Sequence, residues 1–89
     1  MVEKTIRIQN RLGLHARAAA LFVRTVNQFA SSITVEKDGI EVNGKSIMGI
    51  MMLAAAKGTE VLVRARGNDE AEAVTEIEKL INAKFHEEA

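Results

Sequence analysis

Ser32-Ile33-Thr34-Val35-Glu36-Lys37-Asp38-Gly39-Ile40-Glu41-Val42-Asn43 reads as two strands folded back on each other. Apolar and polar residues alternate through Ser32 to Glu36 and through Ile40 to Asn43, and Asp38-Gly39 between them favours a tight hairpin turn. A hairpin with one apolar face needs a cover, and both flanks supply one. Downstream, Ser46 is a good N-cap for a short helix over Ile47 to Ala56, which Lys57-Gly58 would stop. Glu60 to Arg66 alternates as a further strand, and Gly67-Asn68-Asp69 makes a turn and cap. A last helix follows from about Glu70 to Phe85, with Val74, Ile77, Ile81 and Phe85 on one face and acids near its start, where the helix dipole favours them. Upstream, Thr5 to Gln9 alternates as a strand and Asn10 to Leu14 breaks the pattern. Ala19, Phe22, Val23, Val26 and Ala30 then recur at helical spacing from Ala16 to Ala30. The order βαββαβα predicts an α+β fold, an open-faced two-layer β-sandwich whose four-stranded antiparallel sheet is covered on one face by three helices.

The 89 residues suffice for one domain, 1–89, with one modest core. Apolar residues make up 47% and charged residues 27%, which excludes the low-hydrophobicity regime of disordered chains. Twelve basic side chains balance twelve acidic ones, so no basic field draws in nucleic acid or an anionic membrane, and an aromatic content of 3% leaves little to stack on bases. Proteins are the expected partners. There is no cysteine, hence no thiolate nucleophile or thiolate metal site. Met1-Val2-Glu3-Lys4 enters a strand pattern without a secretory signal, and Ile47 to Ala56 is too short to span a bilayer, so the expectation is a cytoplasmic monomer.

His15 stands directly before the first helix, near backbone N–H groups that lack an intrahelical partner at the positive end of the dipole. That is a place for an anion, held by the Ala16 and Arg17 N–H groups and by the Arg17 guanidinium, whose geometry suits phosphate oxygens. Neutral imidazole is a nucleophile, and phosphoryl transfer asks a protein mainly for position and charge. On spacing alone, a polar loop histidine closing a helix is the better reading. Arg17, Ala20, Leu21 and Arg24 fall opposite the apolar stripe, which makes Leu21 an exposed apolar residue between arginines and suggests a docking surface. If Ile50 and Leu53 of the second helix turn inward, Ile47, Met48, Met51 and Met52 form an exposed patch, and methionine suits surfaces that fit several partners. The alternative is burial of the whole segment.

Gly39-Ile40-Glu41-Val42-Asn43-Gly44-Lys45-Ser46 matches the phosphate-binding loop pattern of nucleotide hydrolases. The alternation of Ile40 to Asn43 and the turn at Asp38-Gly39 argue against that geometry, because the loop needs a buried strand before it and a long helix behind. His86 has no second ligand near it and reads as solvated tail, so no metal is expected.

Gly13-Leu14-His15-Ala16-Arg17-Ala18-Ala19, Asn43-Gly44-Lys45-Ser46-Ile47-Met48-Gly49 and the Lys57-Gly58 break, in this order of elements, resemble the HPr family of bacterial phosphotransferase systems over essentially the whole chain. The resemblance implies a carrier, not an enzyme, and no cofactor. His15 would accept a phosphoryl group on Nδ1 from phosphorylated enzyme I and pass it to a histidine of a IIA component, with Arg17 steadying the phosphate. It implies that the second helix belongs to the partner-binding face, and that Ser46 matches the serine phosphorylated by an ATP-dependent HPr kinase. Relatives in a nitrogen branch, or adaptors that bind transcription regulators, are the alternatives. Ala18 stands where the family usually has proline, which loosens the first helical turn without removing an N–H donor.

Overall fold

The computed structural model describes residues 1–87. Its elements are β1 (Val2–Arg7), α1 (Ala16–Val26), β2 (Ser32–Lys37), β3 (Ile40–Asn43), α2 (Ile47–Met52), β4 (Glu60–Arg66) and α3 (Glu70–Asn82), followed by a tight turn at Lys84–His86. The hairpin forms as its alternation requires, with Thr34 opposite Asn43 and Lys37 opposite Ile40. All pairs are antiparallel and the strand order is β1-β4-β2-β3, so the expected α+β open-faced sandwich is the fold. Alternation decides which side faces the helices. Ile6, Ile33, Val35, Val61, Val63 and Ala65 are buried against Phe22, Val26, Ile50, Ile77, Ile81 and Phe85. On the open face, Arg64 of β4 gathers Glu3, Glu36 and Glu41 from the other three strands at 2.6–2.9 Å.

Each helix ends earlier than its apolar periodicity suggests, and after α1 and α2 a competing partner takes over the backbone. After Val26 the Gln28 and Phe29 N–H groups bond three residues back, and the Ala30 and Ser31 N–H groups go to the Asp69 carboxylate. Ala30 is therefore exposed and outside the stripe. Asp69, expected as a cap, stands at the N-cap of α3 but makes no side-chain cap bond, because its oxygens serve Ala30 and Ser31. α2 stops at Met52 rather than Ala56: Ala54 takes a left-handed φ of 49°, and the Lys37 amine binds the Leu53 carbonyl at 3.0 Å. α3 gives way after Asn82 to Lys84, Phe85 and His86, all left-handed, a conformation that costs non-glycine residues about 1–2 kcal/mol each. Phe85 is nevertheless buried, and a fully buried Phe side chain returns about 1.5–3 kcal/mol. β1 begins earlier than expected, at Val2, and Ile8 follows it into the core with its N–H on the Thr59 carbonyl.

The loop between β1 and α1 is held by one close approach. Gly13 is buried with φ +66°, and a Cβ there would stand 2.4 Å from the Ala55 carbonyl oxygen. The next residue, Leu14, is buried and gives its N–H to that same oxygen at 2.9 Å. The chain leaving α2 thus seats the chain entering α1, immediately before His15.

Gly13→Ala should cost more than about 1 kcal/mol in urea unfolding, and more than Gly39→Ala, where φ is also positive (+81°) but the space is open. Equal losses would show that the contact with Ala55 is slack. The Asp69 carboxyl is held below its usual range, first by the Ser31 hydroxyl and then by the Ala30 N–H. A depressed carboxyl contributes stability that is full above its unfolded pKa and is lost as pH falls through the lower folded value. The stability advantage of wild type over Asp69→Asn should be full at about pH 6 and shrink as the pH drops below about 4. A difference independent of pH would assign it to shape rather than charge.

Candidate functional site

His15 is the N-cap of α1, with extended backbone (φ −75°, ψ 178°) and no side-chain cap bond. The first helical bond runs from the Ala19 N–H to the His15 carbonyl, which leaves the Ala16, Arg17 and Ala18 N–H groups without a helical partner beside the imidazole. The ring is half-buried, and Nδ1 lies 3.1 Å from the Gly13 carbonyl oxygen. A carbonyl only accepts, so Nδ1 is the donor in this contact. A cleft of about 330 Å³ opens at this point, lined by Arg11, Leu12, His15, Arg17, Phe85 and Glu87. Arg17 is exposed and forms no salt bridge among the described residues, so its guanidinium is available to an anion in the cleft.

Two residues of this site carry no signal in the sequence. Asn10 is fully buried and donates from Nδ2 to the Gly13 carbonyl at 2.7 Å and to Glu87 Oε2 at 3.0 Å. Glu87 also accepts from the Leu12 N–H at 3.3 Å, and its carboxyl is held below the usual range chiefly by the Asn10 amide. Asn10 reads as an ordinary turn residue, and only the left-handed turn at 84–86 brings Glu87 back to the loop. Periodicity sees neither.

Ala16 is exposed. On the outer side of α1, Arg24 is exposed, but Ala20 and Leu21 are half-buried and Leu21 packs against the core. The expectation of an exposed Leu21 is corrected because α1 is flanked by α2 and α3 and not only backed by the sheet. In α2, Ile50 and Leu53 turn inward and are buried. Met48 and Met52 are 71% and 73% exposed, and Ile47 and Met51 are exposed beside them, which removes the alternative of complete burial. The Ser46 hydroxyl accepts from the Gly49 N–H at 3.1 Å and caps α2.

The stretch Gly39 to Ser46 is not a nucleotide loop. The Gly44 N–H is committed to the Ile33 carbonyl at 2.8 Å and the Lys45 amine to the Phe29 carbonyl at 2.8 Å, and the helix behind has six residues. His86 is exposed, in the tight turn rather than a tail, and no cluster of three metal-ligating side chains occurs among the described residues.

Comparison with known proteins agrees with this geometry. The family model for the PTS HPr component phosphorylation site matches residues 2–83. The phosphocarrier protein HPr of Neisseria meningitidis serogroup A is 53% identical over 87 residues, 98% of each chain. The HPr-like protein Crh of Bacillus subtilis is 49% identical over 77 residues, 86% of this chain and 91% of Crh. The crystal structure of HPr-C-His from Thermoanaerobacter tengcongensis superposes with a TM-score of 0.96 at 54% identity, each chain fully covered. A histidine at the N-cap of a helix, in a cleft with an arginine that has no salt-bridge partner among the described residues, on this fold and with these relatives, places the chain in the HPr family of phosphotransferase-system phosphocarriers.

Proposed function

We propose that His15 accepts a phosphoryl group on Nδ1 from phosphorylated enzyme I and passes it to a histidine of a IIA component. The observation that carries this reading is the imidazole at the start of α1, beside helix N–H groups without helical partners and the exposed Arg17. In the transfer the proton first leaves Nδ1 through solvent while Nε2 takes one up, and the freed Nδ1 lone pair then forms the P–N bond as the donor's bond to phosphorus breaks. The Nδ1 bond to Gly13 must open first, since a phosphorylated nitrogen has no hydrogen to donate. The Ala16 and Arg17 N–H groups and the Arg17 guanidinium then face the phosphoryl oxygens, which gain charge-assisted hydrogen bonds. The chain acts stoichiometrically, as a single-domain cytoplasmic monomer over residues 1–89, and turns over no small molecule of its own.

Docking falls to Ile47, Met48, Met51 and Met52 together with Ala20, Leu21 and Arg24. The apolar side chains supply area that adapts to different partners, and Arg24 supplies charge. Ser46 is the regulatory site: a phosphate added by an ATP-dependent HPr kinase would sit at the start of α2 next to the methionines and change the charge that partners meet. The similarity to Crh supports a second role in the same direction, as an adaptor for a transcription regulator when Ser46 is phosphorylated.

Enzyme I with phosphoenolpyruvate should place acid-labile phosphate on wild type, and an HPr kinase with ATP should place acid-stable phosphate on it. His15→Ala should lose only the first label and Ser46→Ala only the second; either label surviving in its own variant removes that assignment. Met48→Asp should weaken enzyme I binding tenfold or so, about 1.4 kcal/mol, with stability changed by no more than about 0.5 kcal/mol. Ile50→Ala, by contrast, should cost about 2–5 kcal/mol of stability. A Met48 variant that unfolds, or that binds normally, would take the patch out of the docking surface.

A further inference from the structure

His15 is one end of a chain of contacts that crosses the cleft. The Gly13 carbonyl accepts from His15 Nδ1 at 3.1 Å and from Asn10 Nδ2 at 2.7 Å. The Asn10 amide also donates to Glu87 Oε2 at 3.0 Å, and the two Glu87 oxygens accept from the Leu12 N–H at 3.3 and 3.4 Å. Asn10 Oδ1 is buried and has no hydrogen-bond partner among the described residues, so the contacts that fix the amide run through its N–H donors.

Resting on the reading of His15 as phosphoryl acceptor, we propose that Asn10 and Glu87 are positioning residues that raise the phosphoryl-transfer potential of His15, by stabilising the bare ring and opposing the phosphorylated one. Nδ1 takes phosphorus after its proton has left through solvent while Nε2 takes one up, the N–P bond replaces the donor's bond to phosphorus, and nothing is oxidised or reduced. The Gly13 carbonyl, still held by Asn10 Nδ2, then loses the imidazole as its second donor and turns an unpaired lone pair toward the phosphoryl oxygens. The Glu87 carboxylate, anchored by the same amide, adds like-charge repulsion in a shared cleft. Arg11 and Arg17 line that cleft and attract the phosphoryl group. Contacts present in one state and absent in the other shift the equilibrium by their difference. The carboxylate and amide thus offset part of what the arginines contribute, and the group remains easy to pass on.

The test is a partition of phosphate at equilibrium. 15N-labelled wild type and an unlabelled variant compete for limiting phosphoenolpyruvate with catalytic enzyme I, and intact mass spectrometry reads each protein's share. Glu87→Gln, outside the core, should hold about threefold to tenfold more phosphate relative to its bare form than wild type, the equivalent of one net hydrogen bond. Asn10→Ala should shift at least as far in the same direction, and Glu72→Gln on the exposed side of α3 should not shift. Slower chemistry or weaker docking cannot move this ratio. Equal partition between wild type and Glu87→Gln overturns the proposal and leaves the carrier reading standing, whereas absence of phosphate on wild-type His15 overturns both. Should Asn10→Ala fail to fold, Glu87→Gln decides alone. The 15N ring spectrum of neutral His15 gives an independent readout, because wild type should show the Nδ1–H tautomer and Asn10→Ala should lose that preference.

Discussion

The approach of Gly13 to the Ala55 carbonyl is the constraint on which the site depends. No side chain fits between them, the backbone there is left-handed, and Leu14 closes the contact with a hydrogen bond to the same oxygen. The early end of α2 follows from this. If α2 continued to Ala56, the Ala55 carbonyl would point along the helix axis instead of toward the loop. The left-handed Ala54 turns it outward, and the Lys37 amine satisfies the carbonyl left free at Leu53. The exposed methionines and the His15 imidazole are therefore attached to one mechanical unit, although they come from segments about thirty residues apart.

Charge is arranged on the same unit with both signs present. Arg11 and Arg17 face the cleft from one side, and Glu87 faces it from the end of the chain. The carboxylate is held in place by an amide and a backbone N–H rather than by either arginine, so neither guanidinium is tied up in a salt bridge among the described residues. An anion entering the cleft meets donors that do not have to be released from a salt bridge first.

Most of the fold was legible because periodicity reports burial. Ile33 and Val35 alternate, Phe22, Val23 and Val26 recur at helical spacing, and each landed in the core. The hairpin, the strand Glu60 to Arg66 and the cap at Ser46 fell where turn and cap chemistry put them. The helix ends were not legible, since Asp69, Lys37 and the burial of Phe85 override propensity from distant parts of the chain. His15 and Arg17 were found by position and by resemblance. Asn10 and Glu87 escaped because their role exists only through contacts between residues more than seventy positions apart.

The strand order β1-β4-β2-β3 bears on how the chain comes to be made. Both β1 and β2 lie against β4, which occupies residues 60–66, so a chain emerging from the ribosome holds its first strand unpartnered and its hairpin with a bare edge until residue 66 has emerged. Such edges invite pairing with other chains. The late arrival of β4 makes completion of the sheet a non-local event, slow relative to helix formation and exposed to aggregation while it waits. The polar alternation of Glu3, Thr5 and Arg7 on the first strand, exposed residues all, protects that interval as much as it suits the finished surface.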